Sequence, residues 1–263
     1  MPIPDSAELL SGAPDSPVVL HVPHSAREIP ASVRADLLLD DRALDRELDM
    51  ITDAHTARLA AETVRLSPTR PWRFVNRLSR LVVDPERFPD EREEMLAVGM
   101  GAVYTATTDR MPLRADDFDP SPLLDRYFHP YAQAMTELIS DRLSAVGRAV
   151  IIDVHSYPTH RLPYELHGDG PRPPICLGAD VFHTPAELLT RAAGAFIDFG
   201  EVGVNSPFAG TYVPLHFYRR EPRVTAVMVE IRRDLYMTEP GGPPGPGLDR
   251  LAAAVAALIA GIH

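Results

Sequence analysis

Two histidines and one glutamate stand at or near the ends of apolar segments that are typical of buried strands. They are His24 after residues 18–22, His155 after residues 149–154, and Glu230 near the end of residues 224–231. In open α/β sheets, ligands bind in the crevice outside the carboxyl ends of the strands, so these three side chains can converge there. Neutral imidazole and carboxylate are ligands that bind Zn²⁺ well. The pattern predicts a metal site.

A catalytic zinc usually has three protein ligands and one open position for water. His24 and His155 supply two of the three ligands, and a carboxylate on the segment after the first strand would supply the third. Asp53, Asp49 and Glu47 all lie on that segment, and residue type alone does not choose among them. Glu230 would then stay off the metal and act as the general base that deprotonates the attacking water.

Structural roles for the same side chains are the alternative interpretation. A histidine beside an apolar strand is commonly a hydrogen-bonded residue, and a buried Glu230 needs a partner that Arg232 or Arg233 would provide as well as a metal would. Five further histidines are lower-ranked candidates: His21, His55, His160, His183 and His216.

Short apolar segments alternate with helix-length segments along the chain. Predicted strands cover residues 18–22, 81–83, 149–154, 175–177 and 224–231; predicted helices cover residues 41–61, 123–146, 185–198 and 248–262. This alternation predicts an α/β fold with a mixed, mainly parallel twisted sheet and helices on both faces. Residues 84–122 have no clear period, and we expect them to form a long excursion near the site. We expect a single catalytic domain over residues 1–263.

Composition narrows the classes of function. The 263 residues include 37 acidic and 26 basic ones, for a net charge of −11, which disfavours nucleic acid and anionic membranes as partners. Cys176 is the single cysteine, so no disulfide can form within the chain. The N-terminal residues lack the features of a secretory signal, and we expect a cytoplasmic protein. The sequence leaves the oligomeric state open.

Seven separated blocks of the sequence resemble the N-formylglutamate amidohydrolase family, in the order in which that family has them. They are Val18-Val19-Leu20-His21-Val22-Pro23-His24-Ser25, Met50-Ile51-Thr52-Asp53, Ser79-Arg80-Leu81-Val82-Val83-Asp84, Asp153-Val154-His155-Ser156-Tyr157-Pro158, Ile175-Cys176-Leu177-Gly178, Asn205-Ser206-Pro207-Phe208-Ala209-Gly210-Thr211-Tyr212 and Glu230-Ile231-Arg232-Arg233-Asp234-Leu235-Tyr236-Met237. The resemblance covers nearly the whole chain. It implies the fold of the zinc carboxypeptidase and phosphorylase/hydrolase-like proteins.

The resemblance also implies a role for each matched residue. His24, Asp53 and His155 would be the zinc ligands, so that Asp53 is chosen over Asp49 and Glu47, and Glu230 would be the catalytic base. Arg80 and Arg87 would hold substrate carboxylates, which makes the expected pocket locally basic. Asn205 and Phe208 would contribute to its wall. One zinc per chain is implied, although Mn²⁺, Fe²⁺ or Co²⁺ also suit such ligands.

The resemblance implies that the protein hydrolyses N-formyl-L-glutamate, a small anionic substrate, to formate and L-glutamate. This reaction belongs to histidine degradation. Glu86 and Arg232 depart from patterns common among relatives, and both change the charge close to the expected pocket, where the substrate would bind. Hydrolysis of another N-acyl amino acid or of a short peptide is one alternative. A catalytically silent protein that binds carboxylates is another.

Overall fold

The computed structural model describes residues 3–167 and 170–262. Its strands are β1 (Ala7–Leu10), β2 (Val18–Val22), β3 (Trp72–Asn76), β4 (Ala149–Tyr157), β5 (Ile175–Gly178), β6 (Val202–Val204) and β7 (Val224–Arg232). Its longer helices are α1 (Asp41–Ile51), α2 (Thr56–Leu66), α3 (His129–Val146), α4 (Ala186–Ala195) and α5 (Gly247–Ala260). Single helical turns cover Ala31–Arg34, Glu94–Val98, Ser121–Leu123, Ile197–Phe199 and Arg233–Leu235, and a π-helical turn covers Leu124–Phe128.

The described strands form one sheet in the order β1-β3-β2-β4-β7-β5-β6. The central strands β3, β2, β4 and β7 are parallel to one another, whereas β1 runs antiparallel to β3 and β5 antiparallel to β7. The prediction of a mixed, mainly parallel sheet is therefore confirmed. The order places β2, β4 and β7 side by side, and these are the strands that carry the histidines and the glutamate.

Helices cover both faces of the sheet, as expected. Because successive side chains of a strand point to opposite faces, Ile152 and Ile151 of β4 belong to different core clusters. The cluster around Ile152 contains side chains from α2, α4 and α5, including Leu59, and the cluster around Ile151 contains side chains of α3 such as Met135. This double cover explains why β2 and β4 are buried along their whole length.

The predicted strand at residues 81–83 is wrong. These residues lie in a turn in which the Val82 amide donates to the carbonyl of Ser79, and they are buried because Leu81 packs into one core cluster and Val82 into another. Residues 81–83 are apolar because they are buried, although they do not pair with a strand. The neighbouring strand β3 was missed, as were β1 and β6. Polar residues interrupt β3, and β1 and β6 are short edge strands.

The predicted helix over residues 41–61 is two helices with a break between them. Thr52 is extended and His55 adopts a left-handed conformation with φ of 68°, so the chain turns sharply between α1 and α2. The amide of Asp53 donates to the carbonyl of His24 at 3.0 Å within this break. The break therefore brings Asp53 to the carboxyl end of β2, which a continuous helix would not do.

The other predicted strands and helices are present, but most of them begin or end at different residues. The helix expected at 123–146 contains the π-helical turn, which precedes Pro130 near the start of α3, because proline has no N–H for the helical ladder. Residues 84–122 form the expected excursion, with one 3₁₀ turn and few other regular elements. Among the described residues, no helix is long and apolar enough to cross a membrane.

Candidate metal centre and active site

The carboxyl ends of three adjacent strands bring the predicted site residues together. His24 follows β2, whereas His155 and Glu230 lie inside β4 and β7, which extend further than the sequence indicated. His155 and Glu230 are register partners on neighbouring strands, so their side chains point to the same face. Asp53 arrives from the break between α1 and α2, and all four residues line one cavity.

Three ligand atoms face one another in this cavity. Nδ1 of His24 lies 3.2 Å from Nδ1 of His155, which lies 3.2 Å from Oδ2 of Asp53, and the third edge of the triangle is 3.7 Å. Zinc ligands at bond lengths of about 2.0–2.1 Å in tetrahedral geometry stand roughly 3.3–3.4 Å apart. The triangle has the size and the donor set that a divalent metal requires, and its three residues are buried. We call it the His/Asp/His triangle.

Carboxylates hold the far side of both imidazole rings. Nε2 of His24 lies 2.8 Å from Oδ1 of Asp84, and Nε2 of His155 lies 3.1 Å from both Asp153 and Glu86. Such carboxylates fix the tautomer that leaves Nδ1 free to act as a ligand. Burial alone would lower the pKa of His155, but Glu86 and Asp153 raise it well above its ordinary value.

Asp84 connects His24 to Arg80 and Arg87. Its Oδ2 lies 2.7 Å from Nη2 of Arg80 and 2.5 Å from the hydroxyl of Tyr104, while Nε of Arg87 lies 3.5 Å away. Burial opposes ionisation of Asp84, but Arg80 and His24 together hold its pKa well below the ordinary value. Asp84 therefore stays ionised and can orient His24.

Arg233 fixes the carboxylate of the triangle. Its guanidinium donates to Oδ1 of Asp53 at 3.1 Å, to the carbonyl of Met50 at 2.6 Å and to the hydroxyl of Ser156 at 3.3 Å. It thus links the α1–α2 break, β4 and the end of β7 while leaving Oδ2 of Asp53 to face the histidines. Burial would raise the pKa of Asp53, but hydrogen bonds with His155 and His24 hold it well below the ordinary value.

Replacing Arg233 with lysine is expected to weaken zinc binding by about 10- to 100-fold, because lysine keeps the charge but loses the planar fork that orients Asp53. Competition with a chromophoric chelator measures the affinity. Arg232→Lys is the matched control, since Arg232 pairs with Asp234 at 2.8 Å. Equal zinc affinity in wild type and R233K would show that Arg233 has no part in orienting the ligand.

Glu230 lies beside the triangle, and no described residue donates a hydrogen bond to its Oε2. Its side chain is 8% exposed, and its Oε2 is buried with no hydrogen-bond partner among the described residues. Burial raises the pKa of Glu230 to about 7. The two arginines considered as structural partners are occupied elsewhere, Arg232 with Asp234 and Arg233 with Asp53. A carboxylate oxygen that protein groups leave unsatisfied is available to a water molecule or a substrate.

The carboxylates that the resemblance passes over, and two of the lower-ranked histidines, have partners outside the triangle. Asp49 pairs with Arg27 at 2.6 Å near the surface, and Glu47 accepts from the amide and hydroxyl of Thr108. Among the lower-ranked histidines, His183 contacts backbone atoms through both ring nitrogens. His21 differs, because its Nδ1 lies 2.9 Å from Oδ1 of Asp153 and its Nε2 2.7 Å from the hydroxyl of Tyr131. His21 therefore helps to position Asp153, which in turn contacts Nε2 of His155.

The remaining predicted residues all line the cavity. Asn205 Oδ1 accepts from the amides of Ala179 and Gly210, which holds two wall segments together. Phe208 packs edge-on against Tyr157 with ring centroids 5.3 Å apart, and its carbonyl lies 3.4 Å from Sγ of Cys176. Arg80 and Arg87 reach the cavity while pairing with Asp84.

The charge of the cavity differs from the expectation. Eight carboxylates line it, against five guanidinium groups, so the cavity is not the locally basic pocket that we predicted. The carboxylates belong to Asp53, Glu86, Glu93, Glu94, Asp153, Glu165, Asp180 and Glu230; the guanidinium groups belong to Arg80, Arg87, Arg92, Arg219 and Arg233. The expectation was wrong because it counted the arginines and omitted the acids that pair with them.

Sequence reasoning assigned no role to Asp84, Asp153 or Arg233 in orienting the ligands. One signal was available: Asp153 precedes His155 by two residues on a strand, so both side chains point to the same face. The contacts of Asp84 with His24 and of Arg233 with Asp53 span 60 and 180 residues of sequence and carry no such local signal.

A scan against protein-family models matches the N-formylglutamate amidohydrolase model over residues 16–237, most of the chain. The chain belongs to this family. It is therefore a member of a family of amidohydrolases, and the resemblance inferred from the seven blocks is confirmed. A comparison with curated proteins finds no match.

Solved structures share the fold of this family member. An N-formylglutamate amidohydrolase from Ralstonia eutropha JMP134 is 21% identical with a TM-score of 0.79, and the match covers 97% of this chain and 96% of that one. A gene product of Agrobacterium tumefaciens is 18% identical with a TM-score of 0.66, over 97% and 93% of the two chains. The predicted α/β fold class is confirmed.

Proposed function

We propose that this protein is a metal-dependent amidohydrolase that cleaves the N-acyl amide of a small N-acyl amino acid, with N-formyl-L-glutamate as the reference substrate. Membership of the family supports the reaction class. The observation that carries the proposal is the buried Oε2 of Glu230, which has no hydrogen-bond partner among the described residues and lies beside a His/Asp/His triangle of nearly tetrahedral dimensions.

His24, Asp53 and His155 would hold the metal, and zinc suits two imidazoles and one carboxylate. When bound, such an ion supplies Lewis-acid chemistry that polarises the amide carbonyl and lowers the pKa of water to about 7. Asp84, Asp153 and Glu86 keep the two imidazoles oriented through their Nε2 atoms.

Glu230 acts as the proton carrier in this proposal. Its carboxylate accepts a proton from the attacking water and then donates it to the nitrogen of the leaving amine, so that it ends the cycle ionised. Arg80 and Arg87 are the cations nearest to Asp84, and their remaining N–H groups are suited to the α-carboxylate of the substrate. The products are a carboxylic acid, formate for an N-formyl substrate, and a free amino acid.

Turnover of N-formyl-L-glutamate by the purified protein tests the proposal. We expect formate and L-glutamate in equal amounts, loss of turnover after treatment with a chelator, and recovery when zinc is added back. Turnover that persists in fully metal-free protein would refute the metal dependence. Tight metal binding without turnover of any N-acyl amino acid would instead favour the catalytically silent, carboxylate-binding alternative.

A further inference from the structure

Arg172 connects separate segments of the cavity wall. Its guanidinium pairs with Glu165 at 2.7 Å and donates to the carbonyl of Pro158 at 2.8 Å. The same group lies over the ring of Tyr157, with 4.9 Å between Cζ and the ring centroid, and 5.9 Å from the ring centroid of Phe208. These four partners all line the cavity, whereas Arg172 is not among the described residues that do. Any effect of Arg172 on a substrate is therefore exerted through the residues that it holds.

The contacts of Arg172 fix the positions of two aromatic rings. Glu165 is 2% exposed and the side chain of Arg172 is 11% exposed, so solvent has little access to their ion pair. A planar guanidinium can bind a carboxylate along its edge while its face lies on aromatic rings. Tyr157 and Phe208 pack edge-on with ring centroids 5.3 Å apart, and the hydroxyl of Tyr157 donates to the carbonyl of Pro173. We call Tyr157 and Phe208 the aromatic pair.

The aromatic pair lies next to Glu230, with Phe208 on the side of β5. Cys176 of β5 is the register partner of Glu230, and its thiol donates to the carbonyl of Phe208 at 3.4 Å. Tyr157 follows His155 by two residues on β4, so its side chain points to the same face as His155 and Glu230. Phe208 is therefore on the far side of Glu230 from β2.

The arginines proposed to bind the α-carboxylate lie on the side of β2. Arg80 and Arg87 pair with Asp84, and Asp84 contacts His24, which follows β2, at 2.8 Å. In an N-acyl amino acid the α-carbon joins the α-carboxylate to the amide nitrogen, and the acyl carbon follows that nitrogen. A substrate with its α-carboxylate at these arginines and its amide beside Glu230 therefore directs its acyl group toward β5 and the aromatic pair.

We infer that, if the proposed amidohydrolase function holds, the aromatic pair limits the size of the acyl group and Arg172 is the positioning residue that holds the pair in place. The carbonyl carbon of a formyl group carries only a hydrogen atom and fits against the two rings. A larger acyl group has to displace a ring whose position Arg172 fixes. The preferred substrates are then N-formyl amino acids.

Hydrolysis of N-formyl-L-glutamate and N-acetyl-L-glutamate by the full-length, zinc-loaded protein provides the test, because the two compounds differ by one acyl carbon. Formyl amides are also more reactive in themselves, so the deciding quantity is the change that a variant causes in the acetyl-to-formyl ratio of kcat/KM. We expect Phe208→Ala to raise this ratio by at least about tenfold at unchanged zinc content, since one carbon in a pocket typically changes kcat/KM by about 10- to 200-fold.

Phe88→Ala is the matched control for F208A. Phe88 also lines the cavity, but it follows Arg87 in the chain and packs against Tyr218 with ring centroids 5.9 Å apart. It therefore belongs to a different part of the wall. F88A should leave the acetyl-to-formyl ratio at the wild-type value.

Two conservative variants extend the test. Phe208→Leu keeps an apolar side chain and should raise the ratio even if F208A does not fold. Arg172→Lys keeps the positive charge opposite Glu165 but loses the flat face that covers both rings, so it should raise the ratio by a smaller factor than F208A.

An acetyl-to-formyl ratio that neither variant of Phe208 changes would overturn the inference and leave the amidohydrolase function standing. So would a variant that alters the preference between N-formyl-L-glutamate and N-formylglycine but not the acetyl-to-formyl ratio, because the aromatic pair would then face the amino acid. A wild-type ratio in R172K would show that Arg172 does not position the pair. Absence of hydrolysis of all three compounds by the wild type would refute the proposed function as well.

Discussion

Replacing Glu230 with glutamine is expected to lower kcat by about 10²- to 10⁴-fold while the zinc content stays at the wild-type value. Glutamine has nearly the same shape but cannot accept and return a proton. The loss should appear in kcat more than in KM, because the carboxylate acts on the water and the leaving amine. Steady-state kinetics and metal analysis of the same preparation measure both quantities.

Glu94→Gln is the matched control for this variant. Glu94 also lines the cavity, but its carboxylate is exposed and lies 3.2 Å from His167 rather than beside the triangle. It should retain activity. Loss of zinc from E230Q together with activity would show that Glu230 is a metal ligand, and full activity of E230Q would remove it from the mechanism.

Replacing Asp53 with asparagine is expected to weaken zinc binding by at least about 100-fold, because a neutral amide replaces the one anionic ligand of the triangle. Zinc at 100 times its Kd stabilises a protein by about 2.7 kcal/mol. Added zinc should therefore raise the melting temperature of the wild type and have a much smaller effect on D53N at the same zinc concentration. Calorimetric titration and thermal unfolding measure the two effects.

Asp49→Asn separates Asp53 from Asp49, one of the two alternatives, with Glu47, that the sequence left open. Asp49 lies four residues earlier, at the surface, and pairs with Arg27. D49N should bind zinc as the wild type does. If D49N loses zinc and D53N keeps it, the assignment of the ligand is wrong.

The sequence predicted three of the four central strands, β2, β4 and β7, because these strands are largely buried and most of their residues are apolar. The same signal failed at residues 81–83, where burial comes from two clusters beneath a turn. Apolar composition reports burial, and burial implies a strand only where a neighbouring strand offers hydrogen-bond partners.

The candidate site was predictable to the extent that its residues stand at the ends of such strands. Asp53 was reached through family resemblance, because its approach to His24 depends on a helix break that the apolar periodicity did not indicate. The pairing of Arg80 and Arg87 with Asp84 was missed for a different reason. The sequence shows which residues are cationic. It does not show which carboxylates they contact, because that depends on where the side chains lie in the folded cavity.

The position of the bound metal is the most direct test of the account. Anomalous diffraction at the zinc edge from crystals of the zinc-loaded protein would locate the ion. We predict one strong peak per chain within bonding distance of His24 Nδ1, His155 Nδ1 and Asp53, with Glu230 uncoordinated. A principal peak at either of two neighbouring groups, His21 with Glu86 and Asp153 or His24 with Asp84 and Glu86, would contradict the assignment of the ligands.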